Sequence, residues 1–388
     1  KYKYNKKRLV LHRASMQYYQ SYLKKKGFKV QKYVNFDKSI NSRIIPFGSL
    51  CFDPIDKIRL PRGINIIESP NFLLTLDDYN DYIDDKHRKK QKRIFFHRSF
   101  YNWGRDRVNV IPKIKSKDNE NRKKMPSGTR VPRLPTNKTD YHYITQAIKY
   151  IKSKKQFKNN YGNMENFMYP VTHKSANKFL KDFFIKRFAK FGPYQDYIDK
   201  DDQILFHSFL SSSINIGLLN PHDIMIKASK KKVPINSKEG FIRQLFWRDY
   251  QRFAYIHFKF KGKNFFGNKR RLTKAWYTGN LDIPPVDDAI IDAFDTGYLH
   301  HIRRLMVVGN FMNLSGIKPS DGFKWFMEFS CDSYEWVMHQ NVYDMVFCVS
   351  GGGTTTKPYL ASSSYILNMS NYSRCLLYTS PSPRDGLL

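Results

Sequence analysis

Cysteine is scarce in this chain, with four in 388 residues, at positions 51, 331, 348 and 375. No two of them form a C-x-x-C pair, and none stands at a zinc-site spacing from histidine, so the sequence predicts no metal site. Few and scattered cysteines are typical of a reducing compartment, and we expect a cytoplasmic protein. A hydrophobic run of membrane-spanning length and a secretory signal segment are also lacking, so we expect no membrane association.

Acidic residues are few beside basic ones: 33 Asp and Glu stand against 68 Lys and Arg, a formal net charge of +35. Clustered cations displace counterions from nucleic acid, so such a charge favours a polyanionic partner and salt-sensitive binding. An AT-rich genome is the alternative explanation, because its codons enrich Lys, Asn, Tyr, Ile and Phe together. Both explanations stay open at the level of composition.

Aromatic residues, in contrast, are abundant, with 30 Phe, 26 Tyr and 5 Trp. Such a content favours a packed helical domain or an aromatic-lined cofactor pocket. A chain of 388 residues is also long enough for two domains and a large core.

The first third of the chain predicts a parallel sheet. Residues 8–12 (RLVLH) have the pattern of a short strand, residues 14–26 that of a helix ended by Gly27, and residues 28–34 (FKVQKYV) that of a second strand. A strand, a helix and a strand joined by short connections make a βαβ unit. With a further strand at residues 65–68, we predict part of an α/β domain with a Rossmann-like parallel sheet.

Residues 84–107 combine many cations with interleaved aromatic side chains. A nucleic-acid groove uses this combination, because cations contact phosphates and rings stack on bases. An amphipathic helix whose rings enter the core is an equally good interpretation. The aromatic residues concerned are Phe95, Phe96, Phe100, Tyr101 and Trp103.

The remainder of the chain predicts an interdomain linker followed by an all-α domain. Residues 113–139 are rich in Pro, Asn and Lys and lack a hydrophobic period, which is typical of a linker. From Tyr141 onward helical patterns follow one another. In one of them Ser175 is the predicted N-cap and Gly192 the predicted end, with an apolar face made by Phe179, Leu180, Phe183, Phe184 and Phe188.

The segment YLHHIRRLM, residues 298–306, places two histidines and two arginines inside an apolar helical pattern. At helical spacing, His300, His301 and Arg304 project toward one side, while one continuous apolar face runs over residues 290–306. A neutral imidazole beside a guanidinium can hold an anionic cofactor and move a proton next to it. The alternative is a hydrogen-bonded histidine pair at a helix–helix contact.

Two further segments carry candidate binding residues. In HSFLSSSINIGLLNP, residues 207–221, Ser208 and Ser211 could bind phosphate oxygens at a helix start, although such serines are usually only caps. In EGFIRQLFWRDY, residues 239–250, Gln244 and Arg248 lie four apart on an otherwise aromatic helix. Alternatively, these polar residues form a stripe on the protein surface that includes an Arg–Asp ion pair.

These strings, together with DSYEWV and GGGTTTKPYLASSSYILNMSNY, resemble the photolyase/cryptochrome family, in its prokaryotic (6-4) photolyase branch of deoxyribodipyrimidine photolyase-related proteins. The resemblance covers most of residues 1–372. It implies an all-α FAD-binding domain over residues 141–374, a partial α/β antenna-type domain over residues 1–83, and a basic segment with linker between them. Residues 375–388 lack a helical period and look unlike protein sequence, so we expect a fragment incomplete at both ends.

The resemblance also implies roles for individual residues. His301, with His300 beside it, corresponds to the active-site histidine, Tyr359 resembles a lesion-pocket tyrosine, and Trp247 packs against the damaged base pair. Trp276, Tyr277 and Trp325 fall where the family relays electrons to the flavin, with core packing as the alternative. The implied flavin contacts are Tyr194, Ser208, Leu210, Ser211, Gln244, Arg248, Arg304 and Asn341.

Three departures from the family pattern bear on the expected cofactors. Ser350 stands where the family usually has an aspartate, so Arg304 would lack that carboxylate partner. Pro285 and Ser373 stand where some prokaryotic members have cluster cysteines, and Cys375 is out of register, so we predict no iron–sulfur cluster. The first strand and loop of the antenna-type domain are missing, which leaves antenna binding open.

The implied function is light-driven repair of ultraviolet-damaged DNA by reduced FAD, with the (6-4) pyrimidine photoproduct as the expected lesion. The expected partner is damaged DNA, bound by a monomer at the nucleoid. A cryptochrome-like blue-light receptor with the same flavin pocket is the second hypothesis. The third, from another class, is a basic nucleic-acid-binding protein without a cofactor.

Overall fold

A computed structural model describes residues 2–30, 48–53, 55, 62–111, 117–260 and 262–373. Its helices are α1 (Lys6–Lys25), α2 (Leu76–Arg88), α3 (His97–Val108), α4 (Tyr141–Lys152), α5 (His173–Lys186), α6 (Phe188–Tyr194), α7 (Ser211–Asn215), α8 (Pro221–Ser229), α9 (Ile235–His257), α10 (Ala275–Thr278), α11 (Pro284–Thr296), α12 (Asn310–Leu314), α13 (Pro319–Phe329), α14 (Glu335–Gln340) and α15 (Ser363–Asn368). The predicted run of helices after Tyr141 is confirmed.

The described residues form one small sheet. Strands β1 (Leu50–Phe52) and β2 (Asn65–Ile67) pair in parallel, with Leu50 opposite Asn65. The predicted strand at residues 65–68 is therefore confirmed, and a parallel sheet is present, but its strands are not those of the predicted βαβ unit. The larger doubly wound sheet is not seen in the described parts of the chain, where the sheet has two strands.

The predicted strand at residues 8–12 is wrong, because these residues belong to the long helix α1. Asn5 caps that helix by accepting a hydrogen bond from the Lys7 backbone N–H at 2.9 Å. Val10, Leu11 and Ala14 are fully buried, and their spacing is that of a helix face. A five-residue apolar run cannot by itself distinguish a strand from a helix.

The second predicted strand, residues 28–34, is not seen where the structure describes it. Residues 28–30 are irregular, and residues 31–34 lie outside the described part of the chain, as does the predicted tail at 375–388. The N-terminus of α1 packs on the later helices: the Asn5 side chain donates to the Phe294 carbonyl at 2.8 Å and Arg8 to the Met327 carbonyl at 3.1 Å.

Helix α5 begins and ends at other residues than predicted. Thr172 is its N-cap, and Ser175 is the third helical residue of a reciprocal capping box. Buried Asp140 accepts hydrogen bonds from both hydroxyls, which fixes this start. The helix ends at Lys186, and Gly192 lies inside the following helix α6.

The aromatic residues of the basic segment mainly enter the core. Phe100 is fully buried and Tyr101 is 4% exposed, both on α3. Phe100 stacks on Phe253 of α9 with ring centroids 4.9 Å apart. The amphipathic-helix interpretation is therefore confirmed for these two residues, while their cationic neighbours remain at the surface.

The predicted continuous helical face over residues 290–306 is wrong. Helix α11 ends at Gly297, whose φ of +73° favours glycine, and a Cβ there would lie 2.5 Å from the Cys331 sulfur. After this break the chain forms a π-helical segment, Arg303–Gly309, that leads into α12. A second π-helical segment, Asn341–Val346, follows α14.

The two π-helical segments cross closely at Gly309, where a Cβ would lie 2.8 Å from the Val346 side chain. π-Helical turns widen a helix locally and occur frequently at functional sites. Both segments contribute side chains to the same cavity. None of the described helices has the length and apolar character needed to cross a membrane.

Candidate functional site

A cavity of about 1330 Å³ opens between α3, α7, α9 and the two π-helical segments. This volume exceeds the roughly 300–1,000 Å³ of ordinary small-molecule pockets. Most of the site residues predicted from the sequence line it. They are Ser208, Leu210, Ser211, Gln244, Trp247, Arg248, His300, His301, Arg304, Asn341 and Tyr359.

Four predicted residues lie outside the cavity walls. Tyr194 packs on Phe206, with ring centroids 5.6 Å apart, in a small separate cluster. Trp276, Tyr277 and Trp325 belong to, or pack against, the second hydrophobic core. A cofactor in the cavity would therefore meet these four side chains indirectly.

Asp332 is the central acidic residue of the cavity, and the sequence did not single it out. Its carboxylate accepts hydrogen bonds from Arg304 at 3.0 Å, from Ser211 at 2.6 Å and from the Ser330 hydroxyl. Burial by itself would raise the pKa of Asp332, but Arg304 and the two hydroxyls hold the pKa below its usual value. Asp332 is therefore a carboxylate at neutral pH and fixes the Arg304 guanidinium.

This ion pair corrects the expectation that Arg304 lacks a carboxylate partner. Ser350, at the position where the family pattern has aspartate, does not contact Arg304; its backbone N–H donates to Asp344 at 2.9 Å. The guanidinium instead reaches Asp332, from the segment between α13 and α14. Ser211 was expected to bind a phosphate oxygen, but its hydroxyl donates to Asp332 in this structure.

Arg248 is held at the cavity wall by neutral partners. Its guanidinium donates to the Asn71 carbonyl at 2.7 Å and to the Asn215 side-chain oxygen at 2.9 Å. Burial lowers the pKa of Arg248 to about 10, which still leaves it charged at neutral pH. The surface-stripe interpretation is therefore wrong for Arg248, whereas Arg252, one turn later, does pair with the acidic residues Asp53 and Glu68.

Trp247 is oriented by Asn341. The indole N–H donates to the Asn341 side-chain oxygen at 3.2 Å, and the Asn341 amide donates in turn to the Val337 carbonyl at 2.7 Å. The His97 ring contacts the indole edge-on at 4.3 Å. Tyr359 lines the same cavity and is 39% exposed, so a large aromatic ligand could reach both rings.

Three histidines converge in the cavity. The rings of His207 and His300 stack at 4.8 Å, and the His301 ring lies edge-on to His207 at 5.5 Å. His301 is half-exposed, and its Nε2 lies 3.2 Å from an Asp196 carboxylate oxygen. The Nε2 of His207 and both ring nitrogens of His300 are buried and have no hydrogen-bond partner among the residues that the structure describes. The prediction of a hydrogen-bonded histidine pair is therefore wrong for His300.

These two buried histidines are neutral at physiological pH. Burial lowers the pKa of His207 to about 3, with a smaller contribution from His301. Burial also lowers the pKa of His300 well below its usual value, and His207 and His301 add to the effect. In the unfolded chain both rings regain an ordinary pKa of about 6.5.

Acidification is therefore expected to destabilise the protein. The folded state binds fewer protons than the unfolded state at pH values below about 6.5, so stability falls as the pH is lowered. At about pH 5.5, His207 and His300 together should lower the free energy of unfolding by about 3 kcal/mol relative to pH 7.5. Urea denaturation at both pH values measures this difference. A His207→Gln/His300→Gln variant should lose this part of the pH dependence, and an unchanged slope would contradict the assignment.

Two of the predicted electron-relay residues are linked through the ring of Phe294, which contacts Trp325 and Tyr277 with ring centroids 5.6 Å apart in each case. The Trp276 ring contacts Phe311 instead. Trp325 is fully buried, and its indole N–H donates to the Trp276 carbonyl at 2.6 Å. Phe326, which lines the cavity, contacts Trp325 with ring centroids 5.1 Å apart. Tyr277 stacks on Tyr161 at 4.8 Å. Core packing explains the burial of the two tryptophans, and the same contacts offer a path from the cavity.

Comparison with known proteins relates parts of this chain to one family. Residues 55–169 match the model of the family described as deoxyribodipyrimidine photo-lyase-related protein. A (6-4) photolyase of Agrobacterium fabrum is 40% identical over 223 residues, which are 56% of this chain and 44% of that protein. An uncharacterized protein of Acanthamoeba polyphaga mimivirus is 46% identical over 110 residues, covering 27% of this chain and 85% of that one.

Over these matched segments the chain is therefore related to the deoxyribodipyrimidine photolyase-related proteins. It spans less than half the length of the Agrobacterium photolyase that it matches. Among solved structures, an archaeal photolyase from Sulfolobus tokodaii, solved with two FAD molecules, aligns over 88% of this chain and 72% of its own, at 12% identity and a TM-score of 0.47. A bacterial class III photolyase from Agrobacterium tumefaciens aligns over 49% of this chain and 40% of its own, at 22% identity and a TM-score of 0.42.

Proposed function

We propose that this protein is a light-driven DNA-repair flavoprotein that acts on ultraviolet photoproducts, with the (6-4) pyrimidine photoproduct as its main substrate. One observation carries the proposal: His301, the Arg304–Asp332 pair and Trp247 line a single large cavity. The identity to the Agrobacterium (6-4) photolyase supports the choice of lesion. FAD, when reduced and excited by blue light, supplies the electron for repair.

The residues present in the cavity fit FAD. The volume of about 1330 Å³ accommodates a dinucleotide. Arg248 and Arg304 supply fixed positive charge for an anionic cofactor, and the Ser208 hydroxyl lies along the same wall.

His301 is the proton donor in this proposal. Its half-exposed ring lies at the edge of the cavity, where a flipped lesion base would enter. His301 and Arg122 hold the pKa of Asp196 below its usual value against the opposing effect of burial. An ionised Asp196 accepts the Nε2–H of His301, which orients the imidazole toward the cavity edge.

Damaged duplex DNA is the proposed partner. Cationic side chains surround the cavity, and Trp247 and Tyr359 are placed to pack against unstacked bases. Because a cationic groove releases counterions on binding, affinity should fall steeply with salt. Besides Arg248 and Arg304, the cations that line the cavity are Arg98, Arg105, Lys117, Arg122 and Arg243.

Two further assignments belong to this proposal. Trp325, Trp276 and Tyr277 are the route by which the flavin is reduced in the light, supported by their ring contacts. The chain divides into an antenna-type part over residues 1–83, a basic segment and linker over 84–140, and the FAD-binding domain over 141–374.

The proposed function is tested with purified protein, its absorption spectrum and a duplex oligonucleotide that carries one (6-4) photoproduct. We expect a flavin band, bleaching of that band in blue light with a reductant, and light-dependent restoration of the lesion, followed by chromatography. The dark reaction and an undamaged duplex are the controls. A flavoprotein that photoreduces without repair would favour the blue-light receptor, and a colourless protein that binds DNA would favour the cofactor-free hypothesis.

A further inference from the structure

The three histidines of the cavity form a set of side chains that could hold a metal ion. One ring nitrogen from each of His207, His300 and His301 can be chosen so that all three lie within 4.8 Å of one another. His207 comes from the segment before α7, and the other two come from the segment before the first π-helical turn. The fold thus brings together imidazoles that are about ninety positions apart in the sequence.

The buried nitrogens of this cluster lack a partner. Among the described residues, the Nε2 of His207 and both ring nitrogens of His300 are buried without a hydrogen bond. His207 is 8% exposed and His300 is 2% exposed. Leaving a buried polar atom unpaired costs on the order of 1–3 kcal/mol. Three such atoms side by side therefore indicate a missing polar partner in the space between the rings.

A metal ion meets the requirements of this space. Imidazole is the common nitrogen ligand of zinc and other late divalent metals, and it binds in its neutral form. Zinc–nitrogen bonds of about 2.0–2.1 Å need the nitrogens about 3.3 Å apart, so small side-chain rotations would close the site.

Asp196 completes the surroundings expected of such a site. Its carboxylate lies 3.2 Å from the His301 Nε2 and also pairs with Arg122. A carboxylate beside a metal-bound imidazole fixes the ring and raises its basicity, and it offsets part of the metal charge. With three imidazoles, the fourth position of a tetrahedral ion would stay open to the cavity.

We propose that His207, His300 and His301 bind one divalent transition-metal ion, and Zn²⁺ is the ion to test. The bound ion would prevent His301 from donating a proton. The second half of this proposal rests on the proposed function, because it takes His301 as the proton donor. An imidazole whose lone pair is held by zinc cannot exchange a proton with a substrate. Zinc would thus inhibit repair without displacing DNA.

The binding half is tested on the full chain by calorimetric titration with Zn²⁺ after removal of metal by a chelator. We expect one ion per chain, and X-ray absorption at zinc should show nitrogen ligands and no sulfur. His207→Ala and His301→Ala should each weaken binding at least about 100-fold, since each removes one of three protein ligands. His142→Ala is the matched control, because His142 is exposed on α4.

Further measurements distinguish a loss of zinc binding from a loss of folding or of repair activity. Thermal unfolding of each variant shows whether it still folds. Substitution of His301 should disturb the fold least, because this side chain is half-exposed. If no saturable binding occurs, or if none of the cluster substitutions weakens it, the site does not exist. Repair assayed with Zn²⁺ and with chelator tests the second half, for which we expect at least a tenfold inhibition. Zinc binding in a protein without repair activity would leave the site standing and overturn the proposed function instead.

Discussion

Replacement of His301 with alanine is expected to lower the rate of light-driven repair by about 100- to 10,000-fold, the range that a positioned general acid contributes. The side chain lies at the edge of the cavity, half-exposed, and its one described polar partner is Asp196. Its loss should therefore remove proton transfer while leaving the buried walls intact. Repair of a (6-4) oligonucleotide under saturating blue light measures the effect.

Two observations separate proton transfer from a general loss of structure. Flavin content and thermal stability of His301→Ala should stay close to those of the unmodified protein, because its ring is not part of the core. Unimpaired repair by His301→Ala would show that another group donates the proton.

Replacement of Asp332 with alanine is expected to lower the free energy of unfolding by about 3 kcal/mol, the cost of leaving a buried charge without its partner. The carboxylate accepts hydrogen bonds from Arg304, Ser211 and Ser330, and its own side chain is 14% exposed. Denaturant unfolding measures the change. Flavin retention should fall as well, because Arg304 would no longer be held along the cavity wall.

A double-mutant cycle isolates the ion pair from the other contacts of Asp332. In Arg304→Met/Asp332→Ala no unpaired guanidinium remains, so this variant should be more stable than Asp332→Ala alone. Asp332→Asn is the conservative comparison, since its amide oxygen can still accept one of the hydrogen bonds. If the single and double variants are equally stable, the Arg304–Asp332 pair contributes nothing measurable to stability.

Sequence patterns were reliable where they were long and repeated. The helices after Tyr141 are predicted from sustained apolar spacing, and the structure confirms them. Short patterns were not reliable. Residues 8–12 have an apolar run that suits either element, and it was packing against later helices that selected the helix.

Boundaries inside the helical domain depended on side chains that meet in space. Ser175 was a plausible N-cap, but Asp140 accepts from both Thr172 and Ser175 and moves the helix start to Thr172. The pattern over residues 290–306 gave no indication of a break, yet Gly297 lies against Cys331 and ends α11 there. Both outcomes rest on contacts between residues distant in the chain.

By itself the sequence determined the family resemblance and most of the cavity residues. The motifs around Ser208, Arg248 and Arg304 are long, specific strings, and all three residues line one cavity. Only the tertiary structure decided the acidic partner of Arg304, the convergence of the three histidines and the π-helical turns in the cavity wall. The physical reason is that hydrogen bonds and ion pairs act over a few ångströms whatever the chain separation. Ser211 and Asp332 are 121 positions apart and 2.6 Å from each other.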